Sequence, residues 1–330
     1  MATPKWATRM SDVAVDRRAL RKSLRTNFNP GPRDYLNRAA LRVRQASHLP
    51  SYLADGALDR PVFIIGAPRS GTSMLYAILR RSSKLAHWPG EAHEVWEADY
   101  HPALRGWESN ALGASDVEEE AAQRIKREFF LITGARKRLI DKTPRNALRV
   151  EFIDTLFPDA RYLFLTRDGR DNINSLINAW RTPRYRTYEL ERPHSIEGVD
   201  AKWWKFTLYP GWERDVSGPL EVVCAKQWTC SYDYALESAK RVGRDRWFDV
   251  AYESLVDDPP AEVARIMDFI GLPLEDEVRA KAEAARTEPV NVVTPPERGK
   301  WRRENPKEVT AVLPLITPTM RALGYELDEN

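Results

Sequence analysis

Between Phe63 and Leu75 the chain reads FIIGAPRSGTSML. Gly66 and Gly71 have the G-x-x-x-x-G spacing of a phosphate-binding P-loop. Thr72 stands where such a loop has its lysine, and the basic residue, Arg69, lies inside the loop. A glycine turn from a strand into a helix is an anion site, because backbone N–H groups converge there and the helix end adds about half a positive charge. Ser70, Thr72 and Ser73 add hydroxyl donors. Arg69 adds a planar fork that can grip two oxygens at once, as a lysine cannot. A turn that only joined a strand to a helix would not need Arg, Ser, Thr and Ser around two glycines. The missing lysine narrows the chemistry. In a P-loop kinase it follows the β- and γ-phosphates while the next hydroxyl holds Mg²⁺. A sulfuryl group carries less charge than a terminal phosphoryl group, and its transfer has less need of a metal.

Three other polar segments could join this loop. FLTRDGRDNINSLINAW places Arg167 eight residues before Ser175. With a helix starting near Asp168–Arg170, the two residues could hold a second phosphate away from the first loop. Alternatively, Arg167 and Asp168 form a surface ion pair and Ser175 is incidental. LIDKTPRN carries Lys142 and Arg145, with Pro144 stiffening the turn and Asn146 available to cap the next helix. A lone lysine there is usually solvated, but beside two anion sites it is a charge neutraliser. HWPGEAHEVWE offers His87, Glu91, His93, Glu94 and Glu97. A hydroxyl attacking an electrophile must lose its proton to such a group. Glu91 follows Pro89 and Gly90, a turn that presents its side chain. It could also simply start a helix, where acidic residues favour the dipole. Glu94 and Glu97, three apart, fit that second role better.

These segments need a scaffold. PVFII (61–65) reads as a strand buried on both faces, and Met74, Leu75, Ile78 and Leu79 have helical spacing after it. Strands are predicted at 137–141, 161–166 and 246–252. Helices are predicted from a capping box at Ser115–Glu118, and at 147–157, 171–180, 219–241 and 260–272, the last ending at Gly271. A closing helix has Pro306 at its first position. Strands alternating with helices imply an α/β fold, a P-loop-like parallel sheet flanked by helices on both faces. Ligands in such sheets sit beyond the carboxyl ends of the strands, where the loop, Lys142 and Arg167 all fall.

Two helical patterns, near 11–27 and 33–54, precede the sheet, with a break at NPGPRDY between them. Residues 1–60 hold twelve basic and five acidic residues, whereas the rest of the chain is slightly acidic. A basic helical extension of this kind either packs on the body or touches a membrane surface or acidic partner. Residues 61–330 form the main domain. The formal net charge of +3 is too small to argue for nucleic acid. No apolar run approaches the roughly 20 residues of a membrane span, and the N-terminus has no apolar signal core. With only Cys224 and Cys230, a disulfide framework and a thiolate metal site are both disfavoured. The expectation is a cytoplasmic protein without a metal.

Residues 180–212 hold Trp180, Tyr185, Tyr188, Trp203, Trp204, Phe206, Tyr209 and Trp212 among several arginines and lysines. The stretch has no clear period. It is either a lid or insertion whose aromatics meet an acceptor, or a satellite hydrophobic cluster.

Taken together, GAPRSGTSML, DKTPRNAL, TRDGRDNINSL, AYESLVDDP and the tail EPVNVVTPPERGKW…LGY resemble the sulfotransferases that use 3′-phosphoadenosine 5′-phosphosulfate (PAPS). The likeness is closest to the tyrosylprotein sulfotransferases and their bacterial relatives, and it covers roughly residues 61–324. It implies that Arg69, Ser70, Gly71, Thr72 and Ser73 hold the 5′-phosphosulfate and that Arg167 and Ser175 hold the 3′-phosphate. It also implies that Tyr252 and Lys300 touch the cofactor, that 3′,5′-ADP is the product, and that Glu91 is the base with Arg69 and Lys142 as catalytic partners. Where the tyrosylprotein enzymes have a further arginine four residues after the serine, this chain has Ala179, and Arg181 could substitute. The acceptor is a hydroxyl compound of open class: sugar, lipid, phenol or peptide. Two other functions compete with this one, a metal-dependent P-loop phosphotransferase and a non-catalytic adenine-nucleotide binder.

Overall fold

The computed structural model describes residues 32–54, 56–285, 287–288, 293 and 297–326. The helix expected near 11–27, and most of the EPVNVVTPP segment, lie outside the described residues.

Among the described residues seven strands run β1 Val62–Ile65, β2 Leu85–Ala86, β3 Arg138–Lys142, β4 Arg161–Thr166, β5 Arg186–Glu189, β6 Trp203–Lys205 and β7 Trp247–Ala251. Five form one parallel sheet in the order β2-β3-β1-β4-β7. Alternation along the strands explains how both faces are covered. Phe63 and Ile65, with Tyr162 and Phe164, enter one apolar cluster. Val62 and Ile64, with Leu163 and Leu165, enter the other. Successive side chains on a strand point to opposite faces, so each strand feeds two cores.

The parallel order sends all five carboxyl ends to one edge. Along that edge β2 leads to the Glu91 segment, β3 ends at Lys142, β1 runs into the glycine loop, β4 into Arg167, and β7 into Tyr252. The loop is central because β1 lies between β3 and β4. Chain order reverses at that point, which is where crevices open in such sheets.

The helix Pro32–Ala54 packs on the helix Glu119–Thr133. His48 Nδ1 lies 2.9 Å from the Leu131 carbonyl, and Tyr52 meets Phe130 with ring centroids 5.6 Å apart. This segment of the basic extension is therefore part of the body.

Several expected elements differ in detail. Ser115 and Glu118 do not form a capping box; the helix starts at Glu119. The Glu118 N–H, which a capping box would use, donates instead to the Tyr100 hydroxyl at 3.0 Å. Asn146 caps nothing. It is buried, donating to Asp141 at 2.8 Å and accepting from Arg149 Nε at 2.9 Å, and the next α-helix begins at Val150. β7 stops at Ala251, and Tyr252 opens a short helix. In the aromatic stretch, Trp180, Tyr188, Trp204, Tyr209 and Trp212 belong to the main core rather than to a satellite cluster. The same stretch also forms an antiparallel hairpin, β5–β6, beside the site.

Candidate active site

The glycine loop is shaped by two close approaches. A Cβ on Gly66 would lie 2.6 Å from the Leu165 carbonyl oxygen of β4. Gly71 has φ +104°, and a Cβ there would lie 2.4 Å from the Tyr252 ring. Both positions therefore exclude a side chain, the second also because of its backbone conformation. The helix Thr72–Leu79 starts immediately after, and Ser70 and Thr72 are buried at its N-terminus.

The two motifs expected to form separate anion sites are stitched together. Arg167 Nη1 donates to the Arg69 carbonyl at 2.8 Å, and Arg69 Nε reaches Ser175 Oγ at 3.4 Å. Arg167 also lies over the Tyr252 ring, 4.4 Å from its centroid. Arg167 is not paired with Asp168. That carboxylate binds Arg170 at 2.6 Å and accepts the Arg170 N–H at 2.8 Å, capping the helix Gly169–Arg181. Arg167 Nε is buried with no hydrogen-bond partner among the described residues. Leaving such a donor unpaired costs on the order of 1–3 kcal/mol, more for a charged group, so a ligand oxygen there fits. Lys300 approaches the same helix because Asp171 accepts from the Gly299 N–H at 2.8 Å. Its Nζ lies 3.1 Å from Glu304. Arg181, the candidate for the arginine absent at 179, faces the C-terminal part of the chain. It binds Asn305 at 2.8 Å, at the cap of the last described helix, and Glu308 at 3.2 Å within that helix.

On the other side of the loop, Lys142 Nζ donates to Ser73 Oγ at 3.1 Å and also to the Glu91 carboxylate. Glu91 Oε2 lies 2.7 Å from His93 Nε2, and His93 Nδ1 is 3.4 Å from Thr143 Oγ1. Burial pushes the Glu91 carboxyl up, but Lys142 and His93 outweigh it and hold it well below the usual carboxylate range. Glu94 accepts from Trp88 Nε1 at 3.1 Å, His87 Nδ1 lies 2.9 Å from the Trp88 carbonyl, and Glu97 turns inward to Arg145. Only Glu91 and His93 of that segment's five candidates are in the chain of contacts that reaches the loop. Arg145 is buried over the Tyr188 ring, 4.7 Å from its centroid. Tyr188 donates to Glu97 at 2.8 Å and accepts from Asn110 at 2.7 Å.

Sequence reasoning did not single out Tyr185 and Thr143. Tyr185 appears there only as one aromatic among eight, and nothing in its spacing marks it. Its hydroxyl accepts from Arg69 Nη1 at 3.2 Å.

The assembled site is a cradle of backbone N–H groups, the hydroxyls of Ser70, Thr72, Ser73 and Ser175, two guanidiniums and the ammoniums of Lys142 and Lys300, with one carboxylate and one imidazole at its rim. It can hold an anion with two charged ends, neutralise charge and accept a proton. Among the described residues no cluster of His, Cys, Asp and Glu could hold a metal ion. No described helix is long and apolar enough to cross a membrane.

Comparison with known proteins gives one consistent result. The family model described as "Sulfotransferase family" matches residues 61–209 and 200–276. Protein-tyrosine sulfotransferase A of Caenorhabditis elegans is 25% identical over 290 residues, covering 82% of this chain and 68% of that protein. Protein-tyrosine sulfotransferase of Drosophila melanogaster is 23% identical over 286 residues, covering 80% of this chain but only 51% of its own length. Among solved structures, a sulfotransferase from Mycobacterium avium superposes with a TM-score of 0.55 at 17% identity, covering 88% of this chain and 83% of that one.

Proposed function

The chain belongs to the sulfotransferase family, and on that premise we propose how its residues carry a sulfuryl group from PAPS to an acceptor hydroxyl. PAPS supplies a sulfuryl group on a 5′-phosphate and a 3′-phosphate as a second charged handle. Arg69 to Ser73 hold the first end. Arg167, Ser175, Tyr252 and Lys300 hold the nucleotide and its 3′-phosphate. Glu91 takes the acceptor proton, and Lys142 neutralises charge that grows at the loop.

One observation carries this reading: Ser73, Lys142, Glu91 and His93 form a continuous chain from the anion loop to the proton acceptor. It also raises a chemical problem. A carboxylate held far below its usual range is a weak base. Lys142 resolves it by its position between the two groups. Drawn toward negative charge at the loop, it releases Glu91 to His93 alone, and the basicity of the carboxylate recovers. Proton transfer is thereby linked to an occupied donor site.

The acceptor is a hydroxyl compound. The relatives are named for protein tyrosine, and a phenolic or peptide hydroxyl is the finer reading they support, with sugars and lipids as the alternatives to assay. A reducing, cytoplasmic setting is supported by Cys224 and Cys230, both free thiols.

Calorimetric titration in EDTA tests the donor site. The protein is expected to bind 3′,5′-ADP without Mg²⁺ and at least about tenfold more tightly than 5′-ADP, as loss of charge-assisted contacts to the 3′-phosphate requires. A requirement for Mg²⁺, or equal binding of both nucleotides, would favour the phosphotransferase reading. Binding of PAPS with no release of 3′,5′-ADP to any acceptor would leave a non-catalytic binder.

A further inference from the structure

Tyr185 directly precedes β5 and Phe206 directly follows β6, so the two residues face each other at the open end of the hairpin. Both have left-handed backbones, with φ 61° and 62°. For a residue with a side chain this costs on the order of 1–2 kcal/mol. Neither is fully buried as Tyr188 and Trp204 are: Tyr185 is half-buried, and Phe206 packs only at the edge of the core, so full core burial does not offset that cost. Their rings pack against each other at 5.4 Å with a 34° tilt.

The hairpin is built to hold this arrangement. Its pairing register shifts between Arg186 and Tyr188, and Thr187 Oγ1 accepts the Phe206 N–H at 2.8 Å. Register irregularities of this kind re-aim side chains beside sites. Lys205 anchors the base: it is buried and donates to the carbonyls of Trp180, at 2.6 Å, and of Thr182 at the end of the helix that carries Ser175.

The side chain so aimed meets Arg69. The Tyr185 hydroxyl is 3.2 Å from Arg69 Nη1, and the guanidinium lies over the Tyr185 ring, 5.0 Å from its centroid. Arg69 is itself left-handed, with φ 69°. On its other side, Ser175 takes Nε at 3.4 Å. A guanidinium has five N–H donors, so these contacts orient Arg69 without exhausting it. Strain concentrated in residues that touch one another marks a functional constraint.

We propose that Tyr185 is a positioning residue for sulfuryl transfer, acting through Arg69: its hydroxyl and ring fix the guanidinium plane for the sulfuryl end of the donor. The proposal rests on the sulfotransferase reading.

The test uses the full chain, with PAPS and 3′,5′-ADP as separate probes. Tyr185→Phe keeps the ring and the Phe206 stack and removes only the hydroxyl. PAPS affinity should fall about tenfold, the scale of a lost hydrogen bond to a charged group, while 3′,5′-ADP, which lacks the sulfuryl group, changes by less than about threefold. The melting temperature should stay unchanged. In an Arg69→Ala background, Tyr185→Phe should have no further effect on PAPS, since coupled residues are not additive. Equal losses for both probes, an unchanged PAPS affinity, or full additivity with Arg69→Ala would each overturn the role. Wild-type protein that binds 3′,5′-ADP but not PAPS would instead overturn the sulfotransferase reading itself.

Discussion

From Gly66 to Ser73 the donor loop takes its shape mainly from consecutive residues, with strand β4 at Leu165 and the Tyr252 ring pressing against its glycines. The wall beside Glu91 is assembled differently. Glu97, Arg145, Tyr188 and Asn110 come from four separate segments and meet as a buried ionic and hydrogen-bonded cluster. The loop offers backbone donors that do not titrate. The wall depends on every member, because a charge left alone in low dielectric is far more costly than an unpaired neutral group. The donor site should therefore survive most changes in the wall, whereas the base and the fold around it should not.

The largest effect that would sharpen this contrast is on the base. Glu91→Gln should lower turnover by about 10²–10⁴, the usual worth of a positioned proton acceptor, with 3′,5′-ADP affinity near wild type. Turnover and nucleotide titration on the same preparation decide it. A near-normal rate, with the loss appearing instead in His93→Ala, would move the base one contact along the chain.

Next comes the wall itself. Arg145→Met should cost about 3–5 kcal/mol of stability, because it strands the buried Glu97 carboxylate. Denaturant unfolding measures the loss. The folded fraction should still bind 3′,5′-ADP, and failure to do so would show that the donor loop leans on the wall after all.

The smallest effect is the response to acid. Burial raises the Glu97 carboxyl, but Arg145 outweighs it and holds the group at about 2, below its ordinary 4.5. A carboxylate lowered on folding contributes stability that is full above the unfolded value and is lost as pH falls through the folded one. Stability should therefore decline from about pH 4.5 toward about pH 2. Glu97→Gln should flatten that decline. An unchanged slope in thermal melts across that range would place the acid-sensitive group elsewhere.

The sequence displayed the donor side well. The strand, the loop and the following helix are contiguous, so hydrophobic run, glycine spacing and hydroxyl cluster appear together in 63–75. The strand ends at Lys142 and Arg167 were equally readable, since a parallel sheet obliges its polar residues to gather at one edge. The capping box at Ser115 and the cap at Asn146 misled for one physical reason. Both residues have the local chemistry for a cap, but another partner holds the group in question: Tyr100, eighteen residues away, takes the Glu118 N–H, while buried charged neighbours, Asp141 and Arg149, occupy the Asn146 side chain. The aromatic stretch 180–212 was legible only as composition, because its side chains divide between the core and the site according to the hairpin's fold.

By itself the sequence determined the parallel α/β scaffold, the anion loop without a lysine, and the family, because each is written in neighbouring residues or in a short period. Tertiary structure alone decided three further matters. It stitched Arg69 to Ser175 and Arg167, it tied Glu91 to Lys142 and His93, and it turned Tyr185 toward Arg69 rather than into the core. Apart from the local Glu91–His93 pair, these contacts join different segments, and they are set by the order of strands in the sheet and by a shifted hairpin register that no local propensity encodes.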